Sequence, residues 1–120
     1  MKTVYHTTFT RIGENARESL AENMVILFRE GAPEDIEAFC FIHRHCETVG
    51  ELRAGGAMIL GDRTFPITAV GAVATQNLRE LGHITVRFDG AGQAEFPGSV
   101  HVAGTIPSDI AIGSELTIQA

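Results

Sequence analysis

Apolar and polar residues alternate along most of this chain in short runs, and each run stops near a glycine, a proline or a small polar residue. A period of two over such short runs predicts strands with one buried face. The stretch TVYHTTFTRI, from Thr3 to Ile12, is rich in β-branched and aromatic residues and ends at Gly13. A second strand is predicted from Met24 to Arg29, stopped by Gly31 and Pro33, and a third opens at Cys40 in CFIHRHC. AMIL and RTFPITAV flank Gly61 and Asp62 and so read as a hairpin, with Pro66 pushing its second arm toward an edge or a bulge. Strands from His83 to Asp89, from Ser99 to Ala103 and from Leu116 to Gln119 complete the pattern.

Helical periodicity is sparse. ENARESLAE is too short to hold a helix unaided and reads as a loop or one helical turn, while Pro33 followed by acidic residues suits the first turn of a short helix. The longest helix is predicted from Thr75 to Leu81, with Leu78 and Leu81 on one face and Gly82 as a left-handed cap. These elements predict an all-β fold, a small closed β-barrel of about seven strands with one or two short helices, since closure removes exposed sheet edges. The helix near Asn77 to Leu81 is expected to lie across the outside or one end.

A length of 120 residues suits a single domain spanning 1–120, and 44% hydrophobic with 20% charged residues is the composition of an ordinary globular protein. A net charge of −6 argues against nucleic acid or an anionic membrane as the main partner, because both attract basic surfaces. The N-terminal MKTVYHTTFTRIG lacks an apolar signal core and FPITAVGAVA is too short to span a bilayer as a helix, so a cytoplasmic location without membrane insertion is expected.

The candidate chemistry lies in CFIHRHC, which packs two cysteines and two histidines into seven residues. On a strand, Cys40, Ile42, Arg44 and Cys46 face one way and Phe41, His43, His45 and Glu47 the other. Thiols and imidazoles on opposite faces cannot converge on one zinc ion. Six residues of strand also hold the cysteines roughly 20 Å apart, beyond disulfide reach, so reduced thiols are expected. His43 and His45 remain as a pair on one face, which His101 of EFPGSVH could join to hold a metal or a small ligand in a closed pocket. That arrangement is similar to the cupin pattern but departs from it, because Pro97 and Gly98 are adjacent and Glu47 and Glu51 stand at the wrong spacing. The plainer alternative is two polar residues on the solvated face of an edge strand.

The blocks TTFTRIG, FREGAP, FCFIHRH, FPITAVG, NLRELGHITVRFDG, AEFPGSVHVAG and PSDIAIGS, in this order, resemble those of the IIA component of the bacterial glucitol/sorbitol-specific phosphotransferase system. The resemblance implies a small cytoplasmic β-barrel-like protein that carries a phosphoryl group on histidine. Its implied partners are HPr, which donates the group, and the IIB and IIC components of the glucitol/sorbitol permease, where a IIB cysteine receives it. By the motif FIHRH the phosphorylated residue is His43. An imidazole with a pKa near 6.5 is both nucleophile and leaving group, and neither metal nor cofactor is expected where hydrogen-bond donors and cations take up the phosphoryl charge.

His45, two residues along the same face, is expected to donate one such bond, and His83, Arg87 and His101 to complete the phosphoryl-stabilising shell. Each of the last three also has a plainer reading: His83 as a strand cap, Arg87 as a surface charge, His101 as barrel packing. A carrier of this kind predicts a shallow, exposed His43 ringed by apolar docking surface, with Phe39 or Phe41 as its exposed aromatic.

Overall fold

The computed structural model describes residues 1–120. Strand β1 (Thr3–Ile12) buries Tyr5, Thr7 and Phe9 on one face and leaves His6 in solvent, as alternation predicts; Arg11 has the parity of the buried residues yet is exposed, because the register shifts between Phe9 and Arg11. Its length serves two neighbours: Thr3–Thr8 pair with β8 (Glu115–Gln119), and Phe9–Ile12 pair with β3 (Phe41–His43). With β2 (Met24–Arg29), β4 (Ala57–Leu60), β5 (Arg63–Val70), β6 (Ile84–Arg87) and β7 (Ser99–Val102), the order is β1-β3-β2-β6-β7-β5-β4-β8, closed into a barrel. Pairs β2–β3 and β6–β7 are parallel and the remaining ladders antiparallel. The all-β barrel is therefore as expected, built from eight strands where about seven were predicted.

At eight strands a barrel interior is just wide enough to be filled by side chains. Leu27, Phe41, Met58, Phe65, Leu116 and Ile118 fill it, each fully buried. Outside the β2–β3 wall a smaller cluster of Phe28, Cys40 and Ile42 is also covered, and burial pushes the Cys40 thiol pKa up to about 11. Both cysteines are free thiols. The Gly61–Asp62 hairpin forms, with Gly61 at φ 61° and Leu60 opposite Arg63. Closure leaves no edge for Pro66, which pairs with Ala57; the irregularity lies next to it, between Ile67 and Ala69 in the ladder to β7.

ARESLAE forms a 3-10 helix, Ala16–Glu22, and α1 (Glu34–Glu37) is a single turn. Helix α2 (Ala74–Leu81) is the longest, and none is long and apolar enough to cross a membrane. Its buried face differs from the prediction: Leu78 is fully buried while Leu81 is 40% exposed. The covered stripe runs at a spacing of four through Ala74, Leu78 and Gly82, which is closer to the helical repeat than the three-residue step to Leu81. Gly82 takes the left-handed conformation at φ 63° and caps the helix, its N–H donating to the Leu78 carbonyl at 2.9 Å. α2 is also tied sideways, with the Leu52 N–H donating to Thr75 Oγ1 and Arg79 donating to the Gly50 carbonyl.

The chain enters α2 through Gly71, whose N–H donates to the Ser99 carbonyl at 2.8 Å. A methyl group on Gly71 would collide with the Pro97 carbonyl and come within 2.6 Å of the Phe96 oxygen, and main chain cannot yield as a flexible side chain would. Gly71→Ala is expected to cost about 1–3 kcal/mol. At roughly 4 °C per kcal/mol for a chain of this size, thermal melting should show a clear fall in Tm; an unchanged Tm would contradict this close approach.

Candidate functional site

β3 is the shortest strand and stops at His43. Alternation sends Phe41 into the core and Ile42 into the outer cluster, so His43 faces the interior at the barrel end that α2 covers. The imidazole meets Tyr5 and Phe9 edge-on, with ring centroids at 5.7 and 6.4 Å. Nδ1 is 2.9 Å from the Arg44 carbonyl oxygen and 3.4 Å from the Tyr5 hydroxyl; Nε2 is 2.8 Å from the Gly82 carbonyl oxygen. The main chain is held too. The His43 carbonyl accepts the Glu30 N–H at 2.9 Å, the Arg44 N–H donates to Thr8, and the Thr7 hydroxyl donates to the Arg44 carbonyl at 2.6 Å.

This geometry corrects one expectation outright. His43 is 0% exposed rather than shallow and open, because the αL cap of α2 closes over it. Only glycine fits there: a Cβ on Gly82 would lie 2.8 Å from His43 Cε1 and 2.8 Å from Arg29 Cβ.

A neutral imidazole has one N–H, and here two carbonyl oxygens compete for it. Protonating the ring would satisfy both, yet lost hydration outweighs them. Burial pushes the His43 pKa below its usual value, against the opposing pull of the Arg44 and Gly82 carbonyls, with smaller effects from His45 (downward) and Glu30 (upward). The ring is therefore neutral at neutral pH. Burial likewise pushes Tyr5 up to about 12, so its phenol stays protonated. Nδ1 has Arg44 and Tyr5 around it, whereas Nε2 is covered by one glycine carbonyl. The tautomer decides where the lone pair stands: a proton on Nδ1 goes to the Arg44 carbonyl and leaves the lone pair on Nε2 beneath Gly82, whereas a proton on Nε2 goes to the Gly82 carbonyl and leaves Nδ1 to accept from Tyr5.

The other predicted residues are not gathered here. His45 lies two positions beyond the end of β3 and is exposed, so the alternation that would have set it on the His43 face lapses at the strand end. His83 turns to the outer wall, where it stacks on Phe28 at 4.9 Å and its Nδ1 bonds the Leu27 carbonyl at 2.9 Å. Arg87 and His101 face each other across β6–β7, also outside. His101 is buried there and not in the barrel: Nδ1 donates to Asp89 at 2.7 Å and Nε2 accepts the Glu95 N–H at 3.1 Å. Arg87 lies 3.5 Å from Glu95 and over the Phe96 ring. Since Arg87 pairs with Met24 and His43 with Arg29, this cluster is roughly 17 Å along β2 from His43.

His43, His45 and His101 thus do not converge, and no group of His, Cys, Asp and Glu side chains forms a metal-holding cluster. Phe41 packs against Phe9 in the core and is closed to partners. Phe39 is 52% exposed beside Met24 and Ile26, at the start of β2 and so far from His43.

Tyr5, Arg29 and Gly82 are the site residues that the sequence reading missed or used otherwise. Arg29 had a legible sign, since it shares the inward parity of Val25 and Leu27. Its place beside His43 comes from the parallel β2–β3 register, which no local pattern announces.

Comparison with known proteins fits this barrel. A family model described as "PTS system glucitol/sorbitol-specific IIA component" matches residues 4–117. The PTS system glucitol/sorbitol-specific EIIA components of Shigella flexneri and Escherichia coli (strain K12) are each 56% identical over 120 residues, which is 100% of this chain and 98% of theirs. The crystal structure of a PTS system IIA component from Enterococcus faecalis V583 superposes with a TM-score of 0.83 at 27% identity, covering 97% of this chain and 100% of that one. Alike in sequence from end to end and alike in fold, the chain belongs to the glucitol/sorbitol-specific IIA components of the phosphotransferase system.

Proposed function

We propose that this chain is a cytoplasmic phosphoryl carrier, in which His43 accepts a phosphoryl group from phospho-HPr and passes it to the IIB component of a glucitol/sorbitol permease. The observation that carries the reading is the neutral, rigidly held His43 at the barrel end, covered on Nε2 by a single glycine carbonyl. In the accepting step the Nε2 lone pair forms a bond to phosphorus as the phosphorus–nitrogen bond of the HPr imidazole breaks. HPr keeps that electron pair, and the His43 proton stays on Nδ1 against the Arg44 carbonyl. In the donating step a IIB thiolate bonds phosphorus as the Nε2–phosphorus bond breaks.

The ring cannot rotate away, held as it is by Tyr5, Phe9 and the Arg44 carbonyl, and a fixed nucleophile favours in-line transfer. Access requires the Gly82 carbonyl to turn aside, a movement for which glycine has the backbone freedom. His45, exposed and close in sequence, is suited to donate a hydrogen bond to the phosphoryl group as a partner docks.

Incubation with phosphoenolpyruvate, enzyme I and HPr is expected to put acid-labile, alkali-stable phosphate on His43. His43→Ala should take none. His45→Ala should slow transfer by up to about a thousandfold, the effect of losing one charge-stabilising donor. Phosphate on His43→Ala but not on His45→Ala would reverse the two roles.

Stability carries an independent check. Burial holds the folded pKa of His43 below its unfolded value of about 6.5, so the unfolded chain takes up the proton first as pH falls. This contribution is complete above about pH 6.5 and is lost as pH falls toward the folded pKa. Tm measured between about pH 8 and about pH 5 should drop on the acid side, and His43→Gln should flatten that drop. Parallel curves for the two proteins would contradict a buried neutral ring.

A further inference from the structure

Among nine lysines and arginines, only Arg29 and Arg87 are drawn partly into the protein. Arg87 has the Glu95 carboxylate and the face of Phe96. Arg29 has no partner at all: the arginine ion pairs use Arg11, Arg17 and Arg87, and the guanidinium groups that donate to main-chain carbonyls are those of Arg63 (to Thr105) and Arg79 (to Gly50). Arg29 is thus half-buried as a residue while its guanidinium is left without an ion pair or hydrogen bond, free to take an anion that comes and goes.

The geometry says where that anion would be. Arg29 is the register partner of His43 in the parallel β2–β3 pair, and it carries the inward stripe of Val25 and Leu27 out of the apolar core. Arg29 and His43 flank the same glycine, each with an atom 2.8 Å from where a Gly82 Cβ would stand. Competing cations are worse placed: Arg44 is exposed beyond the end of β3, and Arg87 is roughly 17 Å along the wall.

Resting on the phosphoryl-carrier reading, we infer that Arg29 is a catalytic residue of the transfer, the cation that contacts the phosphoryl oxygens on His43 once the Gly82 carbonyl has turned aside. A guanidinium presents paired N–H donors that match phosphate oxygens and remains charged throughout. As the Nε2 lone pair bonds phosphorus and the donor imidazole leaves with its electron pair, Arg29 exchanges no proton. It offsets negative charge on the equatorial oxygens. Arg29 would thus fill the place for which Arg87 and His101 were the sequence candidates.

The test compares wild type, Arg29→Gln and Arg29→Lys with phosphoenolpyruvate, enzyme I and HPr, following phosphate on His43 over time. Arg29→Gln should slow loading by about a hundredfold to a thousandfold, with partial recovery in Arg29→Lys. In the loaded proteins, 31P NMR titration should show the phosphoryl group of Arg29→Gln protonating at a higher pH than wild type, a shift that a merely structural change would not produce. Loading of both variants at the wild-type rate with an unchanged 31P titration would overturn the Arg29 assignment while leaving His43 as the carrier. Wild-type phosphate on any residue other than His43 would overturn both.

Discussion

Two carbonyl oxygens, those of Arg44 and Gly82, stand 2.9 and 2.8 Å from the ring nitrogens of His43, and a neutral ring has one proton to give. The rest of the fold serves to impose that arrangement. Sheet pairing sets the end of β3 between β1 and β2, and the covered stripe of α2, spaced by four residues, runs on to its cap Gly82 directly over the ring. Without its ladders to β1 and β2, β3 would be three residues with nothing to hold them, too short to persist alone.

The competition has a chemical consequence. Burial keeps the imidazole neutral at neutral pH, which preserves a lone pair, and the same burial shields the ring from water. A carrier has to load and unload without losing its group to hydrolysis, so a covered nucleophile suits the proposed task better than the open histidine expected from sequence. The cover consists of one residue in the left-handed conformation, whose carbonyl belongs to the peptide that also donates the His83 N–H to the Asn77 carbonyl of α2.

Much of this was legible in the sequence. Alternation in Thr3–Ile12 and in FIH told which side chains enter the barrel, the Gly61–Asp62 hairpin was readable from turn chemistry, and Gly82 from helix-cap chemistry. Three things were not legible, each for a physical reason. Where β3 stops depends on its partners, so extending the period of two to His45 failed. The reach of the Gly82 carbonyl to a residue 39 positions away is a tertiary contact that cap chemistry does not specify. Finally, the parallel registers decide which charged residues become neighbours: they joined Arg29 to His43 and put Arg87 with His101 on the outer wall.

In the proposed function His43 carries the phosphoryl group on the nitrogen under Gly82, with its proton retained on the Arg44 side. Long-range 1H–15N spectra of the 15N-labelled, phosphorylated protein, with phosphorus coupling resolved, address this atom by atom. The account predicts phosphorus coupled to Nε2 of His43 and a protonated Nδ1. Coupling to Nδ1 of His43, or to either ring nitrogen of His45, would contradict it.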